Sequence, residues 1–155
     1  MRVEYINPFV EAAYSILKDV LDDEVRRGEL YLKATSMPTM GVAALVGLAG
    51  DVSGRVVFDM DMPTAIKIAG RMNREEFTVF DEMAKATITE LANMITAQAV
   101  TKLYDLGFRF DLTPPALFSG QNLEISDHNV EALIVPIETN YGCLEVNVAI
   151  REKSE

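Results

Sequence analysis

Residues 80–104, FDEMAKATITELANMITAQAVTKLY, decide how the rest of the chain is read. Phe80, Ala84, Ile88, Leu91, Ile95, Ala99 and Leu103 recur at spacings of three and four, the period of one side of an α-helix. That side is the expected core face. The opposite side carries Ala86, Glu90, Asn93, Ala97 and Val100 where a solvated surface would carry long charged chains. Glu90 and Asn93 stand three apart, so they are neighbours on one face. Small side chains flank them, which predicts an acid and an amide on a plain shelf that another protein can approach closely. The bland reading of Glu-x-x-Asn is two solvated helix residues. The missing charge around the pair, and the mediocre helix propensity of Asn, weigh against it.

Working outward, Asn7 to Leu21 reads as a first helix, with Asn7 as its cap and Pro8 at its first position. Strands are expected over Leu30–Ser36, Val42–Leu48 and Arg55–Met60, the last two joined as a hairpin at Gly50-Asp-Val-Ser-Gly54. Gly47, Ala43 and Ala44 predict close packing of helices on the middle strand. Asp61 and Pro63 open a short helix, Pro63–Met72. The long helix stops near Gly107. Strand-like runs follow at Phe108–Leu112 and Ala116–Ser119, then a polar loop over Gly120–Asn129. A second hairpin pairs Val130–Ile137 with Gly142–Ile150, and a frayed polar tail ends the chain.

The order is helix, three strands, helices, three strands. Corresponding features recur at an offset of about 86 to 88 positions, as between Asn7 and Asn93 or Gly54 and Gly142. This is a weak internal duplication. It predicts one α/β or α+β domain over residues 1–155, two helix-plus-three-strand units forming a sheet layer packed by long helices. The edges of such a sheet could pair with a second copy.

Composition narrows the function. Asp and Glu number 24 against 14 Lys and Arg, for a net charge of −10. Such a chain repels phosphate backbones and anionic lipid, so neither nucleic acid nor membrane is an expected partner. MRVEYINPFV lacks a continuous apolar core for a signal peptide, and the apolar run Val42–Ala49 is too short to span a bilayer. A cytoplasmic protein is expected. Cys143 excludes an internal disulfide by being alone and reads as a small core hydrophobe. His128 reads as a loop residue.

Glu-x-x-Asn occurs a second time, as Glu4-Tyr-Ile-Asn7, at the duplicated position. Pro8 disfavours helical geometry at Asn7, so this pair is not expected to share a helix face. For the mid-helix pair, a rigid amide can accept and donate hydrogen bonds and so aim a water at a phosphoryl group. A carboxylate one turn away could hold a partner's lysine or act as a base. No glycine-rich phosphate loop and no metal cluster stands in the sequence. A phosphoryl group and its magnesium ion would have to come with the partner.

Together, ITELANMITAQAV, INPFVEA, LTPP and YGCLEVNVAI resemble the CheC/CheX/FliY family of response-regulator phosphatases of bacterial chemotaxis, and within it the CheX branch. The resemblance covers essentially the whole chain. It implies a CheC-like fold and dephosphorylation of phospho-CheY. It implies that Asn93 enters the CheY active site to orient the hydrolytic water, and that Glu90 contacts the CheY lysine beside the phosphoaspartate. It implies no cofactor of the chain's own, with Mg²⁺ carried by CheY, and a homodimer with one site per chain. Two departures stand out: Ala86 replaces an Asp or Ser four residues before the Glu, and Pro114 and Pro115 fall a residue or two off the usual spacing. Because related folds in the flagellar switch are structural, a non-catalytic binding module is the alternative reading.

Overall fold

In the computed structural model, which describes residues 3–33, 36–126 and 131–152, the first helix starts earlier than expected. α1 runs Val3–Leu21 with Pro8 inside it. Pro8 removes one backbone hydrogen bond, at a cost of about 3 kcal/mol in a helix interior. The compensation is tertiary. Tyr5 and Ile6 are buried ahead of the proline, Ile6 alone contributing about 1.5–3 kcal/mol. The Tyr5 ring meets Phe108 edge-on at 5.0 Å and Phe110 at 5.4 Å. Asn7 is therefore a helical residue and not a cap, and Glu4 and Asn7 share a helix after all.

After α1 come β1 (Arg26–Arg27), β2 (Tyr31–Lys33), β3 (Ser36–Pro38), β4 (Gly41–Gly50) and β5 (Val52–Asp61). α2 (Met62–Asn73) and α3 (Glu82–Asp105) follow. The chain then forms β6 (Phe110–Leu112), β7 (Ala116–Ser119), β8 (Glu124–Ser126), β9 (Ala132–Thr139) and β10 (Gly142–Glu152). Both later helices have carboxylate caps. Asp61 accepts from the Thr64 amide and Asp81 from the Ala84 amide, each at 2.9 Å.

The main sheet is antiparallel, in the order β1-β9-β10-β5-β4-β6, with β2 also on β9 and β7 also on β4. The two hairpins meet where Val146 of β10 faces Phe58 of β5. The expected duplication is visible in this order, with one refinement. Each unit's early short strand crosses over to the other unit's hairpin: β2 lies on β9, and β7 on β4. The class is thus α+β. β3 and β8 form a separate small sheet, so the stretch expected to be a loop after Gly120 contains a short strand. His128 lies outside the described residues.

Phe58, Met60, Leu144, Val146 and Val148 of the central strands form one core with Phe9, Leu17, Ile68, Ile88, Leu91 and Ile95 of the helices. The helices thus cover a single face of the sheet. α1 and α3 lie side by side and antiparallel, since Tyr5 meets Phe108 while Glu11 bonds Lys102. Gly47 serves a different contact from the one its smallness predicts. Its amide donates to Thr113 Oγ1 at 2.8 Å, and a Cβ there would come within 2.9 Å of the Thr113 methyl, so it admits a loop side chain and not a helix. Cys143 is half-buried and outside the core. Burial, with help from Glu145 and Glu138, pushes its thiol up to about 11, which keeps it protonated at neutral pH. Among the described residues, no helix is long and apolar enough to cross a membrane.

Candidate functional site

The core stripe of α3 holds its inner face rigidly. Ala84, Ile88, Leu91, Ile95, Ala99 and Leu103 are all buried, and Phe80 just ahead of the helix is half-buried against them. This fixes the rotation of the helix and turns Ala86, Glu90, Asn93 and Ala97 outward, where all four are exposed. Val100 departs from expectation. It is half-buried against the core and does not belong to the shelf.

The shelf is plainer than its sequence implies, because it is flanked by threonines whose hydroxyls turn away. Thr87 Oγ1 donates to the Met83 carbonyl at 2.8 Å and Thr89 Oγ1 to that of Lys85 at 3.0 Å. Thr96 and Thr101 do the same to Ala92 and Ala97, at 2.8 and 3.0 Å. Each such bond returns the hydroxyl to the helix backbone four residues earlier. The polar functions left facing out at the middle of α3 are the Glu90 carboxylate and the Asn93 amide. Among the described residues, neither side chain has a hydrogen-bond or ion-pair partner within the chain. An exposed carboxylate and a free amide, one turn apart on an apolar ledge, can engage a cation and a water on something that docks.

The second Glu-x-x-Asn pair is also helical, contrary to the expectation from Pro8, but its setting differs. Glu4 is exposed and Asn7 is half-buried. They share a cleft with Pro8, Glu11, Lys102, Asp105 and Leu106. Glu11 and Lys102 close across it at 2.9 Å. Asp105 and the Glu11–Lys102 ion pair therefore crowd this pair, where alanines flank the other.

Two features near the shelf escape sequence reasoning. Asn73, the last residue of α2, donates through Nδ2 to Thr87 Oγ1 at 2.7 Å and to the Ala69 carbonyl at 2.8 Å. It pins the end of α2 beside α3 one turn before Glu90. Met83, two turns before Glu90, is 55% exposed. Its place on the outward stripe is a legible signal once the whole helix face is plotted. Among the described residues, no group of three or more His, Cys, Asp or Glu is placed to hold a metal ion.

Residues 42–138 match the family model of the chemotaxis phosphatase CheX. The matched span contains Glu90 and Asn93 and excludes Glu4 and Asn7. The CheY-P phosphatase CheX of Thermotoga maritima is 28% identical over 131 residues, 84% of each chain. A CheX solved in a CheX–CheY–BeF3–Mg²⁺ complex from Borrelia burgdorferi is 44% identical. Its TM-score is 0.85, covering 97% of this chain and 100% of that one. A CheC-like superfamily protein from Shewanella sp. PV-4 is 27% identical with a TM-score of 0.89, covering 97% and 99%. The common architecture is the CheC-like fold expected from the resemblance. With its model matched over more than half the chain and solved relatives aligned along nearly all of it, the chain belongs to the chemotaxis phosphatase CheX family.

Proposed function

We propose that this protein dephosphorylates a phosphorylated CheY-type response regulator, with Asn93 orienting the attacking water and Glu90 holding a lysine beside the phosphoaspartate. The observation that carries this is an exposed amide and carboxylate with no partner among the described residues, flanked by alanines and within the span that matches the phosphatase family. Water attacks phosphorus in line and the bond to the aspartyl oxygen breaks. Phosphate leaves with the water's oxygen, the aspartate departs as carboxylate, and the water's proton passes to phosphate or solvent. This chemistry asks mainly for positioning and charge neutralisation from the protein. The amide supplies the first. The regulator's Mg²⁺ and lysine supply the second, in line with the relative solved with CheY, BeF3 and Mg²⁺, in which BeF3 stands for the phosphoryl group.

One site per chain follows from surroundings and not from helix geometry. Glu11 and Asp105, against Lys102 alone, leave a net negative charge around Asn7 that opposes an approaching phosphoryl group. Asn7→Ala should leave the rate of phosphate release from phospho-CheY within about twofold of wild type. A loss comparable to that of Asn93→Ala would show that both pairs act. A homodimer belongs to the same proposal. The outer strands of the main sheet, β1, β2, β6 and β7, are two to four residues long and leave little backbone for strand addition, so side-chain packing must supply most of the contact. Light scattering should give twice the 17.2 kDa chain mass, and a monomer mass at micromolar concentration would refute the dimer.

A further inference from the structure

We infer that Met83 is the apolar anchor on which the response regulator seats upstream of the reacting pair, so that it governs docking and not chemistry. This rests on the function proposed above and extends it to the shape of the docking surface. Met83 lies seven residues before Glu90, which places it roughly 20° from the Glu90 direction around the helix. It is the large apolar side chain exposed on that stripe ahead of the pair, at 55%. A stable protein–protein contact covers about 800 Å² per partner, a disc of roughly 16 Å radius. At 1.5 Å per residue, Met83 stands about 13 Å from the midpoint of Glu90 and Asn93. Tyr104, the exposed aromatic at the other end of the helix, stands about 19 Å from it. A footprint centred on the reacting pair covers Met83 and stops short of Tyr104.

The ground on one side of Met83 is stiff, and on the other the exposed Glu82 is engaged by Lys85 at 3.4 Å. Thr87 Oγ1 accepts from Asn73 and donates to the Met83 carbonyl, so its hydroxyl is committed on both sides and is withdrawn from the surface. The same bridge locks the end of α2 against α3, fixing the segment that returns to the helix at the Asp81 cap. Val79 in that segment is also exposed, four residues ahead of Met83. A rigid apolar ledge loses little freedom on binding, and a methionine adapts its unbranched chain to the partner's contour.

The test pairs two readouts on the intact chain. One is the KM and kcat for phospho-CheY dephosphorylation; the other is the Kd for CheY activated with BeF3 and Mg²⁺. Met83→Glu should raise both KM and Kd about tenfold, with the loss carried by KM. Tyr104→Glu, an equal change of charge on the same helix, should shift neither beyond twofold. A Met83→Glu protein that binds activated CheY as wild type does, or a Tyr104→Glu protein that loses as much, would overturn the inference. The readouts also separate this inference from the catalytic one. Wild-type binding that depends on Met83 without faster hydrolysis would leave the anchor standing and remove the role of Asn93. Failure of the wild type to bind activated CheY would remove the anchor.

Discussion

Asn93→Ala should lose about 100-fold or more of the acceleration of phospho-CheY hydrolysis, while still binding activated CheY. A misplaced reactant costs on this order, as does removal of one positioned hydrogen-bonding group at a reacting centre. Unfolding cannot be the cause. Asn93 is exposed and its side chain bonds nothing among the described residues, so truncation opens no cavity and strands no partner. Replacing a mid-helix Asn by Ala gains up to about 0.7 kcal/mol of helix propensity. The thermal midpoint should therefore hold or rise slightly as activity falls, the pattern of a residue kept for function at some expense to stability. Glu90→Ala should instead act on docking, raising KM for phospho-CheY. A kcat loss in Glu90→Ala as deep as that in Asn93→Ala would reassign Glu90 to the chemistry.

Ala86→Lys should lower kcat/KM by about tenfold or more through three effects on the same spot. The new side chain adds a four-carbon stem to the ledge where the partner must come close. Its ammonium stands four residues from Glu90, the spacing of an intrahelical ion pair, and so competes for the carboxylate. Any cation it leaves on the shelf repels the lysine that Glu90 is proposed to hold. The ion pair alone is worth only about 0.3–0.5 kcal/mol, too little for a tenfold effect, so obstruction and repulsion must dominate. Ala86→Ser separates size and charge from polarity. It installs a residue type that the family resemblance implies for that position, and should stay within about twofold of wild type. Steady-state kinetics on the two variants, with circular dichroism to confirm the helix, decide the matter. A fully active Ala86→Lys protein would mean that the partner does not approach this face.

Much of the scaffold was legible because it depends on local periodicity. The buried stripe of α3 was legible apart from Phe80, which is half-buried ahead of the helix, and both hairpins and the helix start at Asp61 were legible to within a few residues at their ends. The exposure of Glu90 and Asn93 was legible for a related reason: on a helix of known phase, a missing charge around two polar residues is a signal. What escaped depends on contacts between distant parts of the chain. Pro8 obeys its local rule only until Tyr5 is set against Phe108 and Phe110, about a hundred residues away, and Ile6 is buried in the core. Arg55 is buried because the Asn147 carbonyl and side-chain oxygen accept from it across the sheet. No pattern around either residue announces the other. The short strands β1 and β8 exist through their partners' register, too short for any alternation to show. The inward turn of the α3 threonines is a rotamer choice that composition does not reveal.

The central claim is that α3 completes a hydrolytic site on a phosphorylated partner. Its most direct test is the decay of phospho-CheY in excess Mg²⁺, followed with increasing amounts of the wild-type chain and, in parallel, of Asn93→Ala. The account predicts decay that accelerates and saturates with the wild-type chain, while Asn93→Ala leaves it close to the rate of phospho-CheY alone. Decay that the wild-type chain does not change, or that Asn93→Ala accelerates equally, would contradict it.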